Sequence, residues 1–305
     1  MMLAKRFAEF VLKNRMRAII CAVLFALLPY FGWISGVIVV LITLRKGVGE
    51  GFIVLLWSIL PAIVGLFVSL VHPGLSWFPF VLAIFYGNVL AWLCAVMLLR
   101  SGWAFLLQMS ALLGILGVLL MHLFIPDVAA WWMTTMTQYM TQLESNMGVK
   151  IDAARIQHFM QAYVLVATGF QIMLYSLTAI LEVFLGRAVA SALFEPGQLA
   201  NEVKSIRLSW VASVVLLAFV VLTKVGPPLF LDAFPVVVLP FVLAGISLVH
   251  GVLAAYQAPK WTYWIFYLVL IALVFFAQAL LGILIVGAII DSVFNVRVRC
   301  EKAAA

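Results

Sequence analysis

Charge is scarce in this chain. Of its 305 residues, 18 are Lys or Arg and 11 are Asp or Glu, 10% in all, against roughly 25% in an ordinary soluble domain. With 67% hydrophobic residues and a mean hydropathy of +1.24, it lacks the polar surface a soluble core needs. Cysteine is scarcer still. There are three, and Cys21 and Cys94 fall inside apolar runs. This excludes a disulfide framework and a paired-cysteine metal site. Catalytic signatures are missing too: no Walker-type phosphate loop, no HExxH, no GxSxG and no paired intramembrane Asp. We therefore expect no catalytic residue, no metal site, no cofactor and no enzymatic activity, and any ATP-driven step would belong to a partner. The net charge of +7 sits mostly in terminal segments and short loops. Positive charge there fixes membrane orientation, so it does not mark a nucleic-acid partner.

What the sequence does have is long apolar runs. They predict an all-α, polytopic transmembrane bundle of about eight to ten segments, each of roughly 20 residues, in a single domain over 1–305. The clearest runs are 51–71, 77–99, 103–124, 162–185, 208–223, 233–256 and 263–290. The run 18–44 is too long for one upright helix and is interrupted by Pro29, Gly32 and Gly36, which predicts two short segments meeting near Tyr30–Trp33. Lys5, Arg6, Lys13, Arg15 and Arg17 place the N-terminus in the cytoplasm, retained as an anchor. Arg45 and Lys46, Arg100, and the group Arg187, Lys204 and Arg207 mark later cytoplasmic loops. The Pro-rich stretch KVGPPLFLDAFPVVVLPF is expected to dip into the membrane and return, bringing the C-terminus, with Arg297, Arg299 and Lys302, to the cytoplasm as well. Residues 125–160 read as an external segment, partly an amphipathic interfacial helix anchored by Trp131 and Trp132. Residues 186–207 read as the main cytoplasmic loop, turning at Pro196–Gly197.

Polar residues inside apolar runs are the candidates for function, since a group at membrane depth must find a partner or a purpose. Asn88, Gln171 and Gln278 are mid-span amides, and His250 lies between Gly245 and Gly251. Each has two readings, ligand binding or an interhelical hydrogen bond. Trp57, Tyr86, Trp92 and Tyr175 could wall a small-molecule cavity. Glu182 precedes Arg187 by five residues, which suggests an interfacial pair, and Asp291 can pair with Arg297. Ala18, Ala22 and Ala26 form a small-residue stripe along one helix. Such stripes mark close backbone packing, either within the bundle or against another membrane protein.

The run SGVIVVLITLRKGVGEG, then GISLVHG and the closing LLGILIVGAIIDSVFNVRVR, resemble the YybS-like family of uncharacterised bacterial membrane proteins over most of the chain. His250 stands where that family often carries Gln. The family is similar in turn to the substrate-binding S components of energy-coupling-factor importers. The resemblance implies a bacterial cytoplasmic membrane location and a transport-related subunit working with partner proteins. It also implies docking of an integral-membrane coupling subunit onto the first helix through Ala18, Ala22 and Ala26. The competing expectation is a non-transporting scaffold or assembly factor.

Overall fold

The computed structural model describes residues 2–28, 30–72, 85–148, 153–276 and 281–304. Gln278 and the opening part, 77–84, of the expected 77–99 run lie outside these. The described residues form helices and no strand. In chain order they are α1 (Met2–Lys13), α2 (Arg15–Leu27), α3 (Gly32–Lys46), α4 (Val48–Ser58), α5 (Leu60–Val71) and a π-helical turn, Phe85–Val89. Then come α6 (Leu90–Phe124), α7 (Val128–Met147), α8 (Ala153–Tyr163), α9 (Ala167–Phe194) and α10 (Gln198–Lys204). The chain closes with α11 (Trp210–Val225), α12 (Pro228–Ala255), α13 (Lys260–Phe276), α14 (Gly282–Phe294) and α15 (Val296–Ala304).

Among the described residues, four helical stretches are long and apolar enough to cross a bilayer: Val48–Val71, Gly87–Phe124, Ala167–Phe194 and Pro228–Ala255. Shorter apolar helices lie at Trp210–Val225, Lys260–Ala272 and Gly282–Phe294. Their outer faces are apolar. Trp261, Trp264, Ile265, Leu268, Val269 and Ile271 are all exposed on α13, a surface that water would not tolerate and lipid accepts. The chain is thus an all-α membrane protein.

It divides into two compact units. One comprises Met1–Met109, Tyr175–Ile206 and Ser247–Ala258, the other Ser110–Leu174, Arg207–Ile246 and Pro259–Ala305. In the first, the run 18–44 is the expected hairpin: α2 and α3 turn at Tyr30, which adopts φ 66°. Asn14 caps α2 by accepting the Met16 N–H at 3.0 Å. Ala18 and Ala22 are fully buried, and with Ile19 they pack against Val11, Ile38, Val39, Ile42, Val54 and Leu55 of α1, α3 and α4. Ala26 is only half-buried. The stripe is therefore used inside the chain. Two glycines serve the same end. A side chain at Gly51 would strike Thr43, and one at Gly186 would strike Val40, so α4 and α9 both lie close against α3.

In the second unit, Val118, Ile172, Ala233 and Val236 form a core from α6, α9 and α12, with Gly114 and Gly117 facing Ile172. The corner between α14 and α15 is built on Asp291, which is buried. Its carboxylate accepts the Val296 N–H at 2.9 Å and pairs with the Arg297 Nε at 3.1 Å. The Asp291–Arg297 pair is the one the sequence suggests. Arg207 adds hydrogen bonds to the carbonyls of Asp291 and Ser292, each 2.8 Å.

Three expectations need correction. The Pro-rich stretch does not dip: α12 runs unbroken from Pro228 with Pro235 and Pro240 inside it. An interior proline removes one hydrogen bond, which a surrounding bundle can absorb. Residues 186–194 are not loop, because α9 continues to Phe194 and only 195–197 turn before α10. Glu182 does not pair with Arg187, whose partners are Glu195 and Glu202.

Candidate functional site

The site is assembled around two chain breaks that glycine makes possible. α6 is kinked at Gly102, which has φ 76° and ψ −174°. That region is open to glycine almost alone. The kink sets Trp103, which follows it, so that its indole N–H donates to Glu202 at 3.0 Å. The second break ends α9. Pro196 cannot extend a helix, and Gly197, at φ 90°, restarts the chain into α10. Ser191 locks this turn, donating to the Glu195 carbonyl at 2.8 Å and accepting the Leu199 N–H at 3.3 Å.

The returning α10 brings Glu202 onto Arg187. The Arg187 Nε is 3.1 Å from both carboxylate oxygens, and its Nη2 pairs with the same group. Arg187 Nη1 also reaches Glu195 at 3.0 Å, and Glu195 in turn meets Arg45 of α3 at 3.5 Å. The Arg45 guanidinium lies 3.8 Å from the centroid of the Phe194 ring. Two cations and two anions thus alternate around a cavity of about 560 Å³, walled also by Trp103, Gln198, Ser205 and Leu98. Burial pushes the Glu202 carboxyl up, but the hydrogen bonds from Arg187 and Trp103 and the Arg187 charge outweigh it and hold the group below the usual carboxylate range. These arginines and carboxylates are paired with one another, and a small solute carrying both charges could enter only by exchanging with those pairs, its anion on an arginine and its cation on a carboxylate.

The residues singled out in the sequence lie elsewhere. Asn88 is buried, and its Nδ2 donates to Ser35 at 3.0 Å and to Ser58 at 2.8 Å, joining α3, α4 and the π-helical turn. His250 is half-buried, within electrostatic reach of Lys204. Gln171 is half-buried in the second unit. None of the three lines the charged cavity.

A second polar centre escapes sequence reasoning altogether. Asp232 of α12, buried, holds the His122 Nε2 of α6 at 2.8 Å and accepts the Gly169 N–H of α9 at 2.9 Å. Only the rule that ionisable groups at membrane depth seek one another could have paired His122 with Asp232, 110 residues apart. No protein family, characterised protein or solved structure matches this chain.

Proposed function

We propose that the protein is a transport-related subunit of a bacterial cytoplasmic membrane, with both termini cytoplasmic, that binds a small polar solute and draws its energy from partner proteins. The observation that carries this reading is the charged cavity. Its volume of about 560 Å³ falls in the range of small-molecule sites, roughly 300–1,000 Å³. Arg45, Arg187, Glu195 and Glu202 line it as a chain of ion pairs. Positively charged residues at the ends of α3 and α9 belong by charge bias to the cytoplasmic side, which makes this the side of release or uptake. The kinship suggested by the sequence motifs, to YybS-like membrane proteins and through them to S components of energy-coupling-factor importers, is part of this proposal. In that arrangement the chain carries no catalysis of its own.

The test is ligand-dependent thermal stability of the purified protein against panels of amino acids, nucleobases and vitamins. A reproducible stabilisation by one zwitterionic class, lost in Arg187→Ala, supports the reading. No stabilisation by any solute favours a scaffold or assembly factor. That second reading has its own observation: Ala18, Ala22 and Asn88 are all spent on packing within the chain, as a rigid membrane scaffold requires. Affinity purification in mild detergent separates the two again, since recovery of an integral-membrane coupling subunit with ATPases belongs only to the first.

A further inference from the structure

Glu182 is a buried acid of the first unit with a carboxylate oxygen, Oε2, that finds no hydrogen-bond partner among the described residues. It lies well inside α9 and is 3% exposed. On α3 it meets Gly36, so closely that a Cβ at that position would overlap the carboxyl. Glycine is what makes room for the acid there. On α6 it faces Cys94, buried and within its electrostatic reach. The nearest cation along its own helix, Arg187, is committed to Glu195 and Glu202, and Arg45 of α3 to Glu195.

An ionised carboxylate stripped of water and given no donor is among the costliest arrangements in a protein interior. Three things could relieve it: a basic partner, a metal ion or a proton. Among the described residues no cation forms an ion pair with Glu182, and the two nearest in sequence or on the facing helix, Arg187 and Arg45, pair with Glu195 and Glu202. A metal ion demands several oxygen ligands, and among the described residues no cluster of three His, Cys, Asp or Glu exists. A proton needs only the carboxyl itself. We infer that Glu182 is a proton-binding site within the membrane, neutral while α3 lies against α9 and ionised only when that contact opens to water. Proton release and separation of Gly36 from Glu182 are then one linked equilibrium. This inference is independent of the solute site.

The test uses the full chain reconstituted in lipid, with infrared difference spectra of wild type minus Glu182→Gln from mildly acidic to mildly alkaline pH. At neutral pH the wild type should show the carbonyl stretch of a protonated carboxyl in an apolar setting. The band should be lost in Glu182→Gln and decline as pH rises. A carboxylate band at neutral pH that vanishes in the variant would overturn the assignment. A second readout needs no variant: in the wild type alone the protonated-carboxyl band should be present at neutral pH and decline at alkaline pH. Its absence at neutral pH would equally overturn the assignment.

Discussion

Arg187 shows how much a single side chain can organise. Its guanidinium is shared between Glu195 and Glu202, so it fixes both the turn after α9 and the position of α10. Replacing it by Ala leaves two carboxylates facing a cavity without their cation. Hydrogen bonds to charged groups contribute about 1.5–3 kcal/mol each, and partial exposure of both acids keeps the loss near the lower end. Arg187→Ala should therefore destabilise the protein by about 2 kcal/mol, read as a lower midpoint in a denaturing-detergent titration. Glu202 adds a pH signature. Its carboxyl is held below the usual range in the folded state, so its contribution is complete above the ordinary carboxylate pKa and is lost as pH falls through the depressed one. The melting temperature should drop on acidification through that window, and Glu202→Gln should remove part of the drop. The sequence did not reveal this centre. Arg187 and Glu202 are fifteen residues apart and meet only because Pro196 and Gly197 reverse the chain. By contrast Asp291 and Arg297, one turn past a helix end, were legible as a pair because their contact is local.

At the scale of elements, the alanine stripe is the clearest case of a pattern read correctly and assigned only by the fold. Spacing says that a backbone packs closely there; it does not say whose. Ala18 and Ala22 are fully buried against α3 and α4, while Met16, Ile20, Leu24 and Leu27 on the same helix face outward. Ala22→Leu should overpack that core and cost about 1–3 kcal/mol. Ile20→Ala should leave stability within about 0.5 kcal/mol. If a partner helix docks on α2, it does so over the outward face, and Ile20→Ala or Leu24→Ala should weaken its co-purification while Ala22→Leu acts through folding. The break in α6 was legible as well. The sequence Arg100-Ser101-Gly102-Trp103 suggested a boundary between two runs, and Gly102 interrupts the helix there in a conformation closed to other residues. Gly102→Ala should cost about 1–3 kcal/mol. It should also displace Trp103 from Glu202, so that any solute stabilisation is lost along with part of the fold's own.

At the scale of the whole molecule, hydropathy identified the helices well because each run must satisfy its own backbone in lipid. Their crossings are harder to count, since length alone does not say where a helix turns back. With α12 unbroken, the Pro-rich stretch no longer supplies the extra crossing that would return the C-terminus to the cytoplasm. The segment of α13 and α14 can supply it instead. From Lys260 to Phe294 the chain would measure about 52 Å as one straight helix at 1.5 Å per residue, far beyond a hydrocarbon core of about 30 Å. The 35-residue α6 faces the same excess and kinks at Gly102, and the run 18–44 meets it by folding into the α2–α3 hairpin. Two crossings, one by α13 and one by α14, would give an even count and bring Arg297, Arg299 and Lys302 to the cytoplasmic side, as charge bias requires. Reporter fusions check this directly. Fusions after Lys260 and after Ala305 should both report cytoplasmic, and a fusion after Lys224 external. A cytoplasmic signal at Lys260 with an external one at Ala305 would mean a single tilted crossing, and the closing basic segment would then face away from the cytoplasm.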